Sequence, residues 1–379
     1  MPQSPSHPQN FPPLGDFVAT PARSQRNGDA PLIGILEGEG VGPEVVKIAL
    51  NVLTAIESVT GLTCRRRVGG LVGNMAEEAC GKPLSEEVTN FCRDVFAEGG
   101  AILAGAGGGR FVYDLRQEFD LYCKFSPIRT HAEVANDGNL RPECVEGTDI
   151  LMVRENISGL YFATETLSER NGAGQCIEER FSYEERTVRR IVDVAVKVAA
   201  ARRGHVTVVA KRGGLPKMTE MWERCTREAA EGTGVEVLLA DIDYACYYMV
   251  QHPRDVDVIV APNLLGDILC DLGGILLGSR GLTYSGNFAP DGAAVYQTNH
   301  GAAYDLVASG RANPVGQILS LAMLLEDSFG LRDAASRVRD GVASVWRQGF
   351  RTDDLTSAGH RNISAREFGD RVVDTITTP

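Results

Sequence analysis

The amino-acid sequence predicts an α/β protein built around a largely parallel sheet. A short apolar stretch at 31–36 is typical of a buried strand, and apolar residues at helical spacing follow it over 44–61. A second apolar stretch, again followed by glycines, lies at 101–109. An amphipathic helical pattern over 185–204 leads into an apolar strand at 206–210. Strands that alternate with helices favour parallel pairing, because a helix is the usual connection between parallel strands.

The first turn, EGEGVGPE, lies between the first strand and the first helix. Its glycines Gly38, Gly40 and Gly42 have the spacing GxGxG, which differs from the dinucleotide-binding fingerprint GxGxxG. Pro43 stands where a helix begins, a position that tolerates its missing N–H. A tight strand-to-helix turn is therefore the first interpretation of this segment, and a ligand-binding loop is the alternative.

Two further strands are predicted at 235–240 and 256–262, with a helical pattern between them. The segment GDILCDLGG that follows places Asp267 and Asp271 four residues apart, so on a helix both carboxylates share one face. Such a pair suits Mg²⁺ or Mn²⁺, which prefer hard oxygen ligands. A solvated helix face is the alternative. A third acid, Asp243, lies near a strand end, and sequence alone does not show that the three converge.

The segment HGAAYDLVASGRANP, at 300–314, is crowded with polar residues and glycines. It contains His300, Gly301, Asp305 and Asn313. Such crowding is typical of a loop that wraps a ligand, although a plain surface loop has the same composition.

Composition narrows the classes of partner. A formal net charge of −12 argues against nucleic acid and anionic membranes, which both reward clustered Lys and Arg. No apolar run approaches the roughly 20 residues of a membrane helix. Nine scattered cysteines without metal-binding spacing predict reduced thiols and a cytoplasmic protein. Residues 1–30, rich in Pro, Ser and Asn, have no apolar core typical of a secretory signal, and we expect a disordered tail.

Five segments together resemble the β-decarboxylating dehydrogenases that act on isocitrate, isopropylmalate and related hydroxy acids. The family motifs LPGDGIGPE, LRxELDLYANLRP and VRExxxGxY correspond to LEGEGVGPE, LRQEFDLYCKFSP and VRENISGLY in this chain. NLFGDILSDL corresponds to NLLGDILCDL, and HGSAPDIAGKGIANP to HGAAYDLVASGRANP. The motifs keep their order across roughly 32–375, so the chain resembles a divergent member of this family.

The resemblance implies a two-domain isopropylmalate-dehydrogenase-like fold. We expect one long mixed sheet and an active-site cleft between the domains. Residues 31–121 with 279–379 would form the cofactor-binding first domain, and 122–278 the second domain with the dimer interface. It also implies a homodimer with shared active sites and a small hydroxy-acid substrate.

The resemblance also implies the metal ligands and the acid–base residues. Asp267 and Asp271 match the ligands of the divalent cation, with Asp243 contributed by the other subunit. Lys211 matches a lysine that acts from the other subunit on the hydroxyl proton, and Tyr161 matches a tyrosine that protonates the enol after CO₂ leaves.

The substrate-binding residues combine matches with departures. Arg116 and Arg154 match two of three arginines that clamp the malate carboxylates. Ser126 stands at the position of the third arginine. Lys124 replaces the family's usual Asn, and Arg110 lies in the stretch that contacts the substituent on carbon 3. We expect Arg110 and Lys124 either to bind an anionic substituent or to restore the lost charge.

Val112 belongs to the same substituent-contacting stretch. The cofactor follows from Asp305, which matches an acid that binds the adenosine ribose and would repel a 2′-phosphate, so NAD is expected. Asn313 matches an adenine-contacting residue, and His300 with Gly301 line the same pocket. Arg311 leaves NADP open, because it offers the phosphate a partner.

These residues predict NAD-dependent oxidative decarboxylation of a 3-substituted malate to a 2-oxo acid, CO₂ and NADH. The substituent is either anionic, as in isocitrate, homoisocitrate or phosphonomethylmalate, or isopropyl. Ser126 and the loss of the asparagine in the family's KxN motif, where this chain has KRGG, favour the alternative of a non-catalytic regulatory subunit. A metal-dependent decarboxylase without redox chemistry is a third hypothesis.

Overall fold

The computed structural model describes residues 11–19, 30–355 and 357–378. The strands are numbered in chain order. They are β1 (Leu32–Leu36), β2 (Arg65–Val68), β3 (Ala101–Ala104), β4 (Cys123–Arg129), β5 (Asp149–Glu155), β6 (Glu165–Asn171), β7 (Gly174–Arg180), β8 (His205–Ala210), β9 (Glu236–Asp241), β10 (Val258–Ala261), β11 (Tyr284–Phe288), β12 (Ala294–Thr298), β13 (Phe350–Arg351) and β14 (Arg361–Asn362).

The helices surround these strands. They are α1 (Gly42–Thr60), α2 (Gly73–Cys80), α3 (Glu86–Ala97), α4 (Phe111–Glu118), α5 (Pro142–Val145), α6 (Glu185–Ala200), α7 (Pro216–Ala230), α8 (Ile242–Gln251), α9 (Asn263–Leu277), α10 (Val315–Phe329), α11 (Arg332–Arg347) and α12 (Ala365–Thr377). The predicted strands and helices are all present, with bounds that differ by a few residues.

One 10-stranded sheet organises the molecule, in the order β2-β1-β3-β12-β11-β4-β5-β10-β8-β9. The strands at both ends pair in parallel, as the alternation with helices predicts. At the centre, β11 pairs antiparallel with β12 and β4, and β4 pairs antiparallel with β5. The sheet is therefore long and mixed, and the predicted α/β fold class is confirmed.

The opening turn is tight because its glycines meet other backbone. Gly38 and Gly40 have φ of +76° and +61°. A Cβ at Gly38 would lie 2.3 Å from the Ala106 carbonyl oxygen, and one at Gly40 would lie 2.0 Å from that of Ala302. Only glycine fits such close approach. The turn thus brings the loop before α4 and the 300–314 loop together beside the start of α1.

The N-terminal segment differs from the expectation of a disordered tail at residues 11–19. This segment forms a short 3₁₀ turn with Phe11, Leu14 and Val18 buried in the core. The Leu14 amide donates to an Asp327 carboxylate oxygen at 2.7 Å, and Arg332 donates to the Phe11 carbonyl at 2.6 Å. Three apolar residues within a polar stretch are enough to anchor it. The rest of the predicted tail, 1–10 and 20–29, lies outside the described residues.

The predicted domain boundaries stay a prediction. They fall between elements, after α4 and at Gly278, which ends α9 with φ of +94°. Among the described residues, no helix is both long enough and apolar enough to cross a bilayer. All nine cysteines are free thiols.

Candidate active site

Two side chains from different elements donate to one carboxylate near the centre of the sheet. Arg154, at the end of β5, is buried and donates to Asp267 on α9. The Tyr161 hydroxyl donates to the other Asp267 oxygen at 2.8 Å. The Asn263 side-chain oxygen accepts a hydrogen bond from Arg154 Nε at 2.9 Å and fixes the guanidinium in place. A Cβ at Gly266 would lie 3.0 Å from Arg154 Cγ, so the glycine lets α9 approach β5 closely.

Two further cations lie beside this cluster without a carboxylate of their own. Arg116, in α4, and Lys124, on β4, are both buried. Lys124 stands directly opposite Arg154 in the β4–β5 register. Across the described ranges, neither side chain forms an ion pair, so the site has more positive charge than its protein partners neutralise.

Burial and like charge weaken protonation of both cations. Burial, then the charges of Arg116 and Arg154, lowers the pKa of Lys124 to about 7. Burial, then Arg154, lowers the pKa of Arg116 to about 9, so it remains a cation at neutral pH. An anionic ligand would relieve this repulsion and favour the charged form of Lys124.

Asp267 and Tyr161 are held in opposite protonation states. Burial alone would raise the pKa of Asp267, but the charges of Arg154 and Lys124 outweigh it and lower that pKa. Burial, then the hydrogen bond to Asp267, raises the pKa of Tyr161. The carboxylate is therefore ionised at neutral pH, and the phenol keeps its proton.

Two of the predicted substrate residues lie in contrasting places. Arg110 is 59% exposed in its side chain and forms an ion pair with Asp114 at 3.6 Å. Ser126 is completely buried on β4, and its hydroxyl has no hydrogen-bond partner in the described part of the chain. Val112 is partly buried on α4.

Tyr113 is a site residue that the sequence analysis missed. Its ring packs edge-on against Tyr161, with centroids 5.4 Å apart, and lies 5.4 Å from the Arg110 guanidinium and 5.7 Å from that of Arg116. The spacing of 110, 113 and 116, three residues apart, puts the three side chains on one helix face and could have identified it.

Lys211 and Asp243 form a separate pair. Lys211 follows β8, Asp243 lies in the first turn of α8, and Nζ donates to the carboxylate at 2.8 Å. This hydrogen bond raises the pKa of Lys211 and lowers that of Asp243. Within one chain, no described ion pair or hydrogen bond joins this pair to the Arg154–Asp267 cluster.

The predicted metal ligands fit a divalent cation only in part within one chain. Asp267 and Asp271 lie one turn apart on α9, each partly exposed, which is a donor set that a hard cation accepts. Arg280 donates to Asp271 at 2.9 Å. Over the described residues of a single chain, no three His, Cys, Asp or Glu side chains are arranged to hold a metal.

The predicted cofactor residues lie together on the 300–314 loop. Asp305 is exposed and Gly301 faces open space. His300 Nδ1 lies 2.9 Å from the Gly301 carbonyl oxygen, and burial lowers the pKa of the imidazole. Asn313 is buried and donates to Asp354 at 3.0 Å, so its amide is fixed in orientation.

Comparisons with known proteins match this architecture. The family model described as isocitrate/isopropylmalate dehydrogenase matches residues 32–372. A 3-isopropylmalate dehydrogenase of Halalkalibacterium halodurans is 34% identical, over 91% of this chain and 97% of that protein. The chain belongs to the isocitrate/isopropylmalate dehydrogenase family.

Solved structures of this family share the fold. An isocitrate dehydrogenase from Methylococcus capsulatus aligns with a TM-score of 0.81 at 29% identity, covering 92% of this chain and 100% of that one. The apo form of a β-decarboxylating dehydrogenase from Thermococcus kodakarensis aligns with a TM-score of 0.71 at 31% identity, covering 91% and 96%. The Halalkalibacterium halodurans and Methylococcus capsulatus proteins are named for different substrates, so family membership alone leaves the substrate open.

One departure from the family motif has a structural role. Glu39 replaces the motif's Asp and is buried, accepting from the Asn74 amide at 3.1 Å, the Met75 amide at 3.2 Å and the Gly108 amide. Asn74 Nδ2 in turn donates to the Tyr304 hydroxyl at 2.9 Å. Glu39 therefore links the start of α2 to the loop before α4 and, through Asn74 and Tyr304, to the 300–314 loop.

Proposed function

We propose that the protein catalyses NAD-dependent, divalent-metal-dependent oxidative decarboxylation of a 3-substituted malate. The observation that carries this proposal is the pair of buried cations, Arg116 and Lys124, without a carboxylate partner among the described residues beside the Arg154–Asp267–Tyr161 cluster. Buried charges require a counter-ion, and a malate dianion supplies two negative charges.

The proposed reaction changes bonds at carbon 2 and carbon 3 of the malate. The 2-hydroxyl loses its proton and carbon 2 loses a hydride to NAD⁺. The carboxylate on carbon 3 leaves as CO₂, and its bonding electrons form an enolate. That enolate takes a proton at carbon 3 to give the 2-oxo acid.

The side chains of the site match these steps. Arg116 and Arg154 bind and orient carboxylates through planar guanidinium groups. Tyr161 keeps its proton at neutral pH and delivers it to carbon 3. Lys211 of the partner subunit accepts the hydroxyl proton. Because its hydrogen bond to Asp243 raises the pKa of Lys211, the base form requires that Asp243 be engaged elsewhere.

Asp267 and Asp271 of one subunit, together with Asp243 of the partner subunit, would hold Mg²⁺ or Mn²⁺. The cation supplies a Lewis acid that stabilises negative charge on the 2-hydroxyl oxygen. Asp267 and Asp271 lie one turn apart on α9. In the free chain, Asp267 binds Arg154 and Tyr161, and Asp271 binds Arg280.

NAD is the better fit to the cofactor loop. The exposed Asp305 carboxylate would repel the 2′-phosphate of NADP. Arg311, the cation that could have bound this phosphate, is paired with Asp353, Nε donating at 2.7 Å. The Asp305 carboxylate can therefore accept hydrogen bonds from ribose hydroxyls, whereas the Arg311 charge that a 2′-phosphate would need is already neutralised by Asp353.

A homodimer would bring the two parts of the site together. Helices α8 and α9 carry exposed large apolar residues, which are unusual on a free surface and typical of an interface. They are Tyr244, Tyr247, Ile268 and Ile275. The same helices carry Asp243, Asp267 and Asp271, so an interface there would set one subunit's Lys211–Asp243 pair beside its partner's cluster. The cytoplasmic location expected from the sequence remains a prediction.

The test is NADH formation at 340 nm with Mn²⁺, using isopropylmalate, isocitrate, homoisocitrate, malate, tartrate and phosphonomethylmalate. Turnover of at least one substrate is expected. Tyr161→Phe should lower that turnover by about 10²–10⁴-fold, the usual contribution of a positioned proton donor. Phe retains the ring packing on Tyr113, so the melting temperature should stay close to that of wild type.

The regulatory-subunit alternative rests on the buried Ser126 at a clamp position. It predicts no NADH with any member of the panel. Turnover that depends on Tyr161 would eliminate it, whereas silence across the panel would contradict the proposed function.

A further inference from the structure

The face of β4 that carries Ser126, at the position of the missing clamp arginine, also carries Lys124. Side chains alternate along a strand, so residues 124 and 126 point to the same side of the sheet. In the register with β5, Lys124 lies opposite Arg154 and Ser126 opposite Met152. Phe125, between them, points to the other side and is buried in the core. The chain therefore has a cation two residues from the substituted position, on the same face.

Lys124 has the properties of a ligand-binding cation. It is 3% exposed and faces two more cations, Arg116 and Arg154. Removing an ammonium from water without a counter-ion is costly, and nearby like charges add to that cost. No described carboxylate pairs with it. An anion from outside the chain would supply the missing partner.

Ser126 gives a second and independent sign of a ligand at the same place. Its hydroxyl is completely buried and has no partner in the described residues, whereas most buried hydroxyl groups are hydrogen-bonded. A carboxylate held by Lys124 could accept a hydrogen bond from this hydroxyl. Ser also leaves free the volume that an arginine would fill.

The count of charges limits what the site can neutralise. Asp267 already pairs with Arg154, and Asp271 with Arg280. Among the described side chains of the site, Arg116 and Lys124 are the cations left without an ion-pair partner, and they match the two carboxylates of a malate. A charged group on carbon 3 would find only Arg110, which is exposed and paired with Asp114.

Building on the proposed function, we propose that Lys124, with the Ser126 hydroxyl, is the third cation of the malate clamp, and that the carbon-3 substituent is uncharged. Tyr113 and Val112, on the same helix as Arg116, then provide an aromatic and aliphatic surface for that substituent. Lys124 thus restores a charge that the clamp has lost at position 126, and the preferred substrates are dianions.

The experiment compares wild type with Lys124→Met, and uses Lys197→Met as a matched control because Lys197 is exposed on α6, far along the chain from the clamp. Dissociation constants for isopropylmalate, malate and the anionic-tailed isocitrate are measured by calorimetry without NAD, and kcat/KM with NAD and Mn²⁺. Lys124→Met should weaken binding and kcat/KM by about 10- to 100-fold for every malate tested, the range for losing one charge-assisted hydrogen bond. The control should match wild type.

A relocation variant makes the test sharper. In the double variant Lys124→Asn with Ser126→Arg, the cation returns to position 126 on the same face of β4. Recovery of at least tenfold over Lys124→Met is expected, because the clamp needs a charge on this face. Wild type should also prefer isopropylmalate to isocitrate in kcat/KM.

Two results would overturn the inference. One is unchanged affinity in Lys124→Met, and the other is a loss confined to substrates with an anionic tail, which would make Lys124 a reader of the substituent. The binding readout separates this inference from the proposed function. Wild type that binds isopropylmalate through Lys124 but forms no NADH would contradict only the function. Wild type that forms NADH while Lys124→Met binds normally would contradict only the inference.

Discussion

Two buried arginines of this protein have opposite surroundings. Arg351 is 2% exposed and donates to the buried Asp137 carboxylate, to the Trp346 carbonyl at 2.7 Å and to the Phe350 carbonyl at 2.9 Å. Arg116 is 5% exposed, and the described residues provide no acceptor for its guanidinium. One arginine is satisfied by the protein itself, and the other is not.

This difference distinguishes an arginine that stabilises the fold from one that is available to bind a ligand. A guanidinium surrounded by protein acceptors holds loops together, and removing it leaves a buried carboxylate uncompensated. A guanidinium without acceptors lowers stability and is useful only when a ligand arrives. Burial is almost the same for both residues, so the acceptors rather than the burial distinguish a structural arginine from a binding one.

The largest effect is expected for Arg116→Leu. In the proposed clamp the arginine would donate two charge-assisted hydrogen bonds to a substrate carboxylate, each contributing about 1.5–3 kcal/mol, so kcat/KM should fall by roughly 10²–10⁴-fold. The melting temperature should not fall, because the variant removes an unpaired buried charge. Steady-state kinetics and thermal unfolding on the same preparation check both statements. Equal losses of stability and activity would break the comparison with Arg351.

The second effect is expected for Arg351→Leu. This substitution leaves Asp137 buried without its cation and should lower the free energy of unfolding by about 3–5 kcal/mol. Chemical denaturation measures the change, and activity per folded molecule should stay within a few-fold of wild type. A variant of normal stability that had lost its activity would place Arg351 in the site.

A third and smaller effect concerns pH. In the folded protein, burial and the charges of Arg116 and Arg154 lower the pKa of Lys124 from its ordinary 10.5 to about 7. The folded state therefore binds fewer protons between pH 7 and 10.5, and its stability rises with pH across that window. The penalty is complete below pH 7.

Lys124→Met removes this penalty and should stabilise the protein at pH 6.5 by about 1–2 kcal/mol, the lower part of the range for replacing buried charges with apolar groups. The gain should shrink towards pH 10. Because anion binding favours the charged lysine, KM of wild type for a malate should rise above pH 7, and KM of the variant should be flatter. Thermal melts and KM at several pH values check these trends, and a gain independent of pH would count against the buried charge.

The smallest effect is expected for Arg110→Leu. Its guanidinium is mostly exposed and already close to Asp114, so water screens its interactions. We expect kcat/KM to change less than threefold for isopropylmalate and for isocitrate alike. A selective rise in KM for isocitrate would instead identify Arg110 as a contact of an anionic substituent.

Much of the fold follows from local patterns in the sequence. The helix predicted at 44–61 occupies Gly42–Thr60, and the GDILCDLGG segment is helical, which places Asp267 and Asp271 on one face. Periodicity specifies these elements because each buries one side. It did not identify the anchoring of Phe11 and Leu14, since their partners lie more than 300 residues away in sequence.

The candidate site could be predicted only in part. Motifs select Arg116, Arg154, Tyr161 and Asp267, but they do not show that Arg154 and Tyr161 both bind Asp267. Nor do they distinguish the exposed Arg110 from the buried Lys124. The position of Lys124 opposite Arg154 depends on the β4–β5 register, which is a long-range property of the sheet.

The order of strands in the sheet also bears on how the chain folds as it leaves the ribosome. Strands β4, β5, β8, β9 and β10 are all made before residue 262, and among themselves they can complete the pairs β4–β5, β5–β10, β10–β8 and β8–β9. By contrast, β3 emerges early and waits for β12, its neighbour on one side, until residue 298 has been made. The edge of β4 waits for β11 only until residue 288, so the part of the protein synthesised first is completed last, and the nascent chain carries an unpaired β3 edge that is prone to wrong pairing.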